Sequence, residues 1–224
     1  MNPQNIKAHY RLASALFALS KIPQALAACT AGLAIDSTNA ALAKLNEKIV
    51  AKRNALDAAE KKRRDEEERV KKEAAMVVAA LKIRKIRTRT TGQPPEMEDA
   101  VIKLTPDPLA PTSTLIFPVV LLYPLHLQSD FIKAFGEEQT LQGHLEYLLP
   151  LPWDKQGEYT VKGVEAYIET VEGGLIKWGK KVELLKVLSG GKVEIVDGLL
   201  RVNILPKIGA AGWIETVKKR KNKT

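Results

Sequence analysis

The chain contains one cysteine, Cys29, among 224 residues, which excludes a disulfide framework. No run of ~18 apolar residues occurs, so no segment reads as a membrane-spanning helix. The N-terminus lacks the basic-then-apolar pattern of a secretory signal. A soluble protein of a reducing compartment is the expectation. Catalytic signatures are missing as well. Leu188-Ser-Gly-Gly-Lys192 resembles a nucleotide-signature loop, but the phosphate cradle that must accompany it is absent, so it reads as a turn. His9, His126 and His144 have no Cys, His or carboxylate partners at metal spacing. Cys29 lies on an apolar helix face without a nearby histidine, the ordinary setting of an inert thiol. No nucleophile and base can be paired. The sequence therefore nominates no catalytic residue, no metal ligand and no cofactor, and an enzyme is not expected.

What is present is charge of one sign, unevenly placed. Lys and Arg number 35 against 26 Asp and Glu, a formal net charge of +9. From Glu47 to Arg89 the balance is 15 basic against 8 acidic residues, and Lys218, Lys219, Arg220, Lys221 and Lys223 follow at the C-terminus. Everything else sums to −3. The basicity thus belongs to one stretch and one tail, not to the globular parts. A solvated helix held by opposite charges at i,i+4 spacing accounts for the stretch, with Glu67–Lys71 and Glu68–Lys72 in register. A nucleic-acid surface is the competing reading. The tail has no apolar partners and is expected to be disordered.

Periodicity divides the chain. Tyr10, Ala13, Leu16 and Phe17, then Ala25, Leu26, Cys29 and Leu33, recur at helical spacing on either side of a Ser20–Pro23 turn, giving two short helices over 1–37. A third helix starts near Thr38-Asn39 and meets no Gly or Pro before Gly92, so 38–90 reads as a long charged spacer. Its later stripe of Val77, Val78, Leu81 and Ile86 should dock. Residues 91–113 are Pro-rich and read as an extended linker. From 114 to 217 the pattern is a compact α+β domain. Leu115–Leu122 reads as a buried strand, and Ser129 as the cap of a helix to Gly136. Thr140 caps another helix through Leu149. Val164–Thr170 with Leu175–Trp178 form a hairpin, and Val182–Ser189 is a short helix. Val193–Val196 and Leu199–Leu205 form a second hairpin around Asp197-Gly198. Phe117, Tyr123, Phe131, Phe135 and Tyr147 are expected in the core, with Trp153 at a packed corner. Trp178 and Trp213, each near Gly and Lys, are candidates for an interface. Residues 218–224 are the basic tail.

Ala8–Leu16, Ala25-Leu26, Gly32-Leu33 and Ile35-Asp36 resemble one tetratricopeptide repeat. A single repeat cannot bury its own face, so the chain reads as beginning inside a longer array. Lys7 and Arg11, four apart, share one helix face. In the repeat domains that bind the acidic Glu-Glu-Val-Asp terminus of heat-shock chaperones, a Lys and an Arg stand at these two places. The resemblance implies half of a carboxylate clamp, because cationic donors answer a terminal carboxylate and Arg adds geometry to charge.

Phe117-Pro-Val-Val-Leu-Leu-Tyr-Pro124, Leu151-Pro-Trp-Asp154, Glu172-Gly-Gly-Leu-Ile-Lys177 and Val196-Asp-Gly198 extend the resemblance. They are similar to the C-terminal segments of the tetratricopeptide repeat protein 4 family, whose fungal members are the cyclophilin seven suppressor co-chaperones. The resemblance implies a last repeat, a long extended helix, and a wheel domain, a twisted and mostly antiparallel sheet ringed by helices. It implies a cytosolic, partly nuclear adaptor of the seventy- and ninety-kilodalton heat-shock chaperones, with the wheel touching client or chaperone. Translation factors are the implied clients; no membrane or nucleic acid is.

The adaptor and nucleic-acid readings differ in salt dependence, since binding through many phosphate contacts falls about tenfold or more on modest salt increases. Reversing the charges of Lys61, Lys62, Arg63 and Arg64 is expected to leave recovery of a chaperone complex unchanged. Loss of co-purifying RNA with chaperone recovery intact would favour the nucleic-acid reading.

Overall fold

A computed structural model of the protein describes residues 5–221. The chain divides into two units, Met1–Val70 and Lys71–Thr224.

The first unit is helical. α1 (Ile6–Ala18) begins at Asn5, whose side chain accepts a hydrogen bond from the Ala8 N–H at 3.3 Å, satisfying a donor that the first turn leaves open. It ends with Ser20 at φ 56° and the Lys21 N–H reaching back to the Leu16 carbonyl at 2.9 Å, the geometry of a left-handed helix stop. α2 (Ile22–Ile35) tolerates Pro23 in its first turn. α3 (Ala40–Ile83) is capped by Asn39, which accepts from the Leu42 N–H at 3.1 Å. Ala13, Ala25, Cys29 and Leu42 are fully buried where these helices meet. The approach is close. A Cβ on Gly32 would lie 2.8 Å from a Leu42 methyl and 2.9 Å from the His9 Cβ. Side chains from 51 to 70 are all exposed, and this stretch is laced by Arg63–Glu67 at 3.4 Å and Arg69–Glu66 at 2.5 Å. Glu67, expected to meet Lys71, pairs with Arg63 instead.

The second unit begins within α3. Val77, Ala80 and Leu81 join its core, but Val78, placed in the docking stripe above, is 65% exposed. α3 stops without a glycine: Lys85 takes φ 56° and the Ile86 N–H bonds the Leu81 carbonyl. β1 (Arg87–Arg89) follows at once. Residues 91–113, set apart above as a linker, belong to this unit. They supply β2 (Lys103–Thr105) and bury Ala100 and Leu104.

β3 (Thr114–Tyr123) buries Leu115, Phe117, Val119, Leu121 and Tyr123 completely. Its pairing shifts register between Phe117 and Val119, around Pro118, which has no N–H for a ladder. β4 (Gln128–Gly136) is an antiparallel strand on β3. This corrects the helix expected from Ser129, because pairing along β3 overrides a local cap signal. α4 (Leu141–Leu148) is capped by Thr140. β5 (Val164–Glu169) and β6 (Leu175–Trp178) form the antiparallel hairpin, and α5 (Leu184–Leu188) is one short helix.

β7 (Glu194–Val196) and β8 (Leu200–Pro206) share one antiparallel bridge, Val196–Leu199, across the expected turn, but do not extend it into a hairpin ladder. β7 runs parallel to β1, whereas β8 lies between β3 (parallel) and β5 (antiparallel). Asp197 and Gly198 do take positive φ, 56° and 74°, but their turn passes the chain from one sheet to another. The larger sheet has the order β2-β3-β8-β5-β6, with β4 also on β3. α6 (Lys207–Lys221) covers the face carrying Tyr167 and Leu205. The tail is thus helical through Lys221, contrary to the disorder expected from 218; residues 222–224 lie outside the described residues. Phe131 and Tyr147, placed in the core above, are 50% and 91% exposed. Phe131 sits on the solvent-side alternation of β4, and Tyr147 on the outer face of α4.

A buried ion pair ties the second unit together. Arg84 grips Glu137 through two bonds of 2.5 and 2.8 Å, and Glu137 also accepts from the Leu115 N–H at 2.9 Å. Glu137→Ala strands both donors and should cost about 3–5 kcal/mol, whereas Arg63→Ala, at an exposed pair, should cost at most about 1 kcal/mol. Urea titration checks this, followed by tryptophan fluorescence for Glu137→Ala, because Trp153, Trp178 and Trp213 all lie in the second unit, and by helical circular dichroism for Arg63→Ala in the first.

Candidate functional site

Lys7 and Arg11 stand on one exposed face of α1, which the Asn5 cap fixes in register. With Ile6, Tyr10, Asn39 and Ala41 they line a hollow of about 220 Å³. Neither cation has an acidic partner among the described residues. Tyr10 is 40% exposed and offers a ring edge beside the two charges. Asn39 and Tyr10 were not nominated from the sequence. Asn39 announced itself only as a helix cap, and its membership depends on α3 returning beside α1. The arrangement suits an acidic peptide end: two mobile cations, a polar amide and an apolar wall, with no competing carboxylate lining it.

The two tryptophans part company. Trp178 is 2% exposed, its Nε1 donates to the Val182 carbonyl at 3.0 Å, and its ring lies 5.7 Å from Phe135. It presents no surface, which corrects its candidacy as an interface. The Gly-Lys neighbourhood that suggested exposure is a tight turn around the ring. Trp213 is half-buried on α6 against the Tyr167–Leu205–Ala210 cluster.

Elsewhere, Tyr123, Trp153 and Tyr159 meet edge to face with centroids 5.0 to 5.3 Å apart. Tyr123 donates to Asp130 at 2.7 Å, and burial together with that carboxylate raises its phenol far above the ordinary value. Asp154 accepts from the Glu158 and Tyr159 N–H groups, so this corner is held by packing and local hydrogen bonds. Burial pushes the Cys29 thiol up. Among the described residues no group of three or more His, Cys, Asp or Glu could hold a metal ion, and no helix is long and apolar enough to cross a membrane.

Residues 107–217 match the family model described as the Cns1/TTC4 Wheel domain. The Hsp70/Hsp90 co-chaperone cns1 of Schizosaccharomyces pombe is 35% identical over 217 residues, 96% of this chain and 60% of that protein. The Hsp70/Hsp90 co-chaperone CNS1 of Saccharomyces cerevisiae is 33% identical over 230 residues, covering 99% of this chain and 60% of that protein. The chain therefore spans about 60% of the length of these curated relatives. A solved structure of the Hsp90 co-chaperone Cns1 from Saccharomyces cerevisiae superposes with a TM-score of 0.84 at 32% identity, over 98% of this chain and 73% of that one.

The reassignment of Trp178 has a measurable consequence. Trp178→Ala should lower stability by about 3–5 kcal/mol, as large-to-small changes in a filled core do. Urea unfolding followed by circular dichroism reads it, and a loss below about 0.5 kcal/mol, the range of an ordinary surface substitution, would restore the interface assignment.

Proposed function

The chain belongs to the Cns1/TTC4 wheel-domain family, and on that premise we propose that it is a non-catalytic co-chaperone adaptor of the seventy- and ninety-kilodalton heat-shock chaperones. The helical unit binds the acidic chaperone C-terminus, and the wheel contacts client or chaperone. The adaptor works in the cytoplasm and nucleus, with translation factors among its clients. The observation that carries this reading is the hollow on α1, where Lys7 and Arg11 stand side by side without acidic partners among the described residues. Exposed Lys and Arg ordinarily contribute little by themselves. Two unpaired cations beside an apolar ring and an amide form instead a surface complementary to a carboxylate-rich peptide end.

The exposed basic stretch of α3 supports the adaptor over a nucleic-acid reading. Its cationic block Lys61–Arg64 is followed directly by the acidic block Asp65–Glu68, and Arg63 and Arg69 are engaged by Glu67 and Glu66. The polyanion-facing field is thereby reduced within one helical turn.

With the preceding repeats of the relatives present, Lys7→Ala and Arg11→Ala should each weaken binding of a peptide ending in Glu-Glu-Val-Asp by ~1–3 kcal/mol, the value of a charge-assisted hydrogen bond. The losses should shrink at high salt. Isothermal calorimetry on wild type and both variants decides it, and unchanged affinity in both removes the clamp.

A further inference from the structure

Asn203 is a largely buried residue whose amide has no hydrogen-bond partner among the described residues. It sits on β8 between Leu122 of β3 and Tyr167 of β5, and is 6% exposed. Its polar atoms are not sealed off but open onto a hollow, where an entering group can reach them. The amide lines a hollow of about 380 Å³ at the end of the sheet, within the range of ~300–1,000 Å³ common to ligand sites.

The surroundings narrow what could enter. Arg201 lies two residues earlier on β8, on the same face as Asn203, and Glu169 ends β5 on the same wall. Both are exposed, and neither has a hydrogen bond or ion pair among the described residues. The other charges on the wall are matched to each other, Arg89 to Glu194 at 2.8 Å. Leu122, in register with Asn203 on β3, is half-buried on the same face, with Leu199 and Val196 half-buried beside it.

A phosphate or polynucleotide entering here would meet Glu169 and Glu194, and a cation would meet Arg201 and Arg89. What the wall lacks is a neutral partner that both donates and accepts. A carboxamide offers one acceptor and two donors, a guanidinium only donors, and a carboxylate only acceptors. An extended main chain presents N–H and C=O groups in alternation and answers all three, while an aliphatic floor takes a side chain. Thr170 and Val171 also wall a second cavity of about 490 Å³, which gives flanking residues somewhere to lie.

We propose that this hollow of the wheel binds an extended peptide segment through an aliphatic side chain, the Asn203 amide reading the peptide unit and Arg201 and Glu169 bracketing it. The inference rests on the adaptor reading only for the biological role of that peptide; the groove itself is tested separately from the clamp.

The probe is a phage-displayed library of linear dodecapeptides, panned on the full chain and counter-panned on Asn203→Leu. Selected peptides are then synthesised and measured by fluorescence anisotropy. Peptides with a shared aliphatic position are expected, binding about tenfold more weakly to Asn203→Leu, as loss of a hydrogen bond in a closed site implies. Should Asn203→Leu fail to fold, Glu169→Lys and Arg201→Glu, at exposed positions, carry the same comparison, each with an unchanged thermal midpoint and a severalfold loss. Amide shift changes should fall at 168–171 and 199–203, and a peptide ending in Glu-Glu-Val-Asp should not compete. Failure to enrich any such peptide overturns the proposal. So do affinities indifferent to all three variants, or shift changes confined to α1. Retention of polyuridylate that Arg201→Glu abolishes, in place of peptide binding, would also overturn it. Clamp and groove can fail independently, because Lys7→Ala and Arg11→Ala touch only the first.

Discussion

The second unit depends on one carboxylate. Glu137 is 2% exposed, and an ion so placed loses several kcal/mol of hydration that only close, complete pairing can offset. The pairing is complete. Arg84 meets both oxygens, the Leu115 N–H fills a further lone pair, and the backbone of Glu137 bonds Leu115 and Leu185 on either side. One residue thus joins the end of α3, the start of β3 and the start of α5. The consequence for α3 is direct. A helix of good formers with no Gly or Pro nearby has no local reason to stop at Ile83. It stops because Arg84 is drawn to Glu137 and Ile86 into the core, at the cost of ~1–2 kcal/mol for placing Lys85 in the left-handed region. The chain then emerges as β1, which gives β7 its partner strand and sets Arg89 against Glu194. The wall of the Asn203 hollow is therefore downstream of the same ion pair.

This explains which parts of the fold were legible in the sequence. Elements specified by their own residues were readable. The Thr140 cap, the apolar run of β3, the hairpin around Glu172–Gly174 and the helical face of Lys7 and Arg11 all carry local signals. Elements specified by a distant partner were not. β4 contains a helix-cap signature at Ser129-Asp130 yet pairs along β3, because a strand beside that buried run gains a ladder that an isolated helix would not. Asp197-Gly198 has the right dihedral angles for a hairpin, but β8 finds β3 and β5, and β7 finds β1. Asp197 is instead held by the Thr91 N–H and hydroxyl, which keep its carboxyl below the usual range. α6, with Gly209, Gly212 and a basic end, has little helical signature of its own and exists because Tyr167 and Leu205 need covering.

The candidate sites follow the same division. Lys7 and Arg11 were visible because the resemblance to a tetratricopeptide repeat marks those two places, and helical spacing puts them on one face. Tyr10 and Asn39 became visible only when α3 returned beside α1. Asn203 had no signal at all, since an Asn inside an apolar strand looks like a defect until the neighbouring strands are known. Trp178 misled for the opposite reason: composition near a residue reports on its chain neighbours, while burial is decided by Phe135 and the Val182 carbonyl.

Charge carries the last distinction. The formal excess of +9 would, spread over a surface, steer the protein toward any polyanion. It is not spread. Opposite charges answer Arg63, Arg69, Arg84 and Arg89 within the chain, so these residues spend their charge on structure. Lys7 and Arg11 have no such answer among the described residues and line one hollow, whereas Arg201, which lines another, makes no ion pair among the described residues but acts on the Asp197 carboxylate through space. They differ in setting. The first two stand together with no carboxylate among the described residues of their hollow, so the peptide binding proposed there would weaken with salt. Arg201 shares its wall with Glu169 and the Asn203 amide, so the binding proposed there would be governed by hydrogen-bond pattern and shape, with little effect of salt. Under those two proposals one kind of partner would be released by ionic conditions while the other is kept, which a uniformly basic surface cannot do.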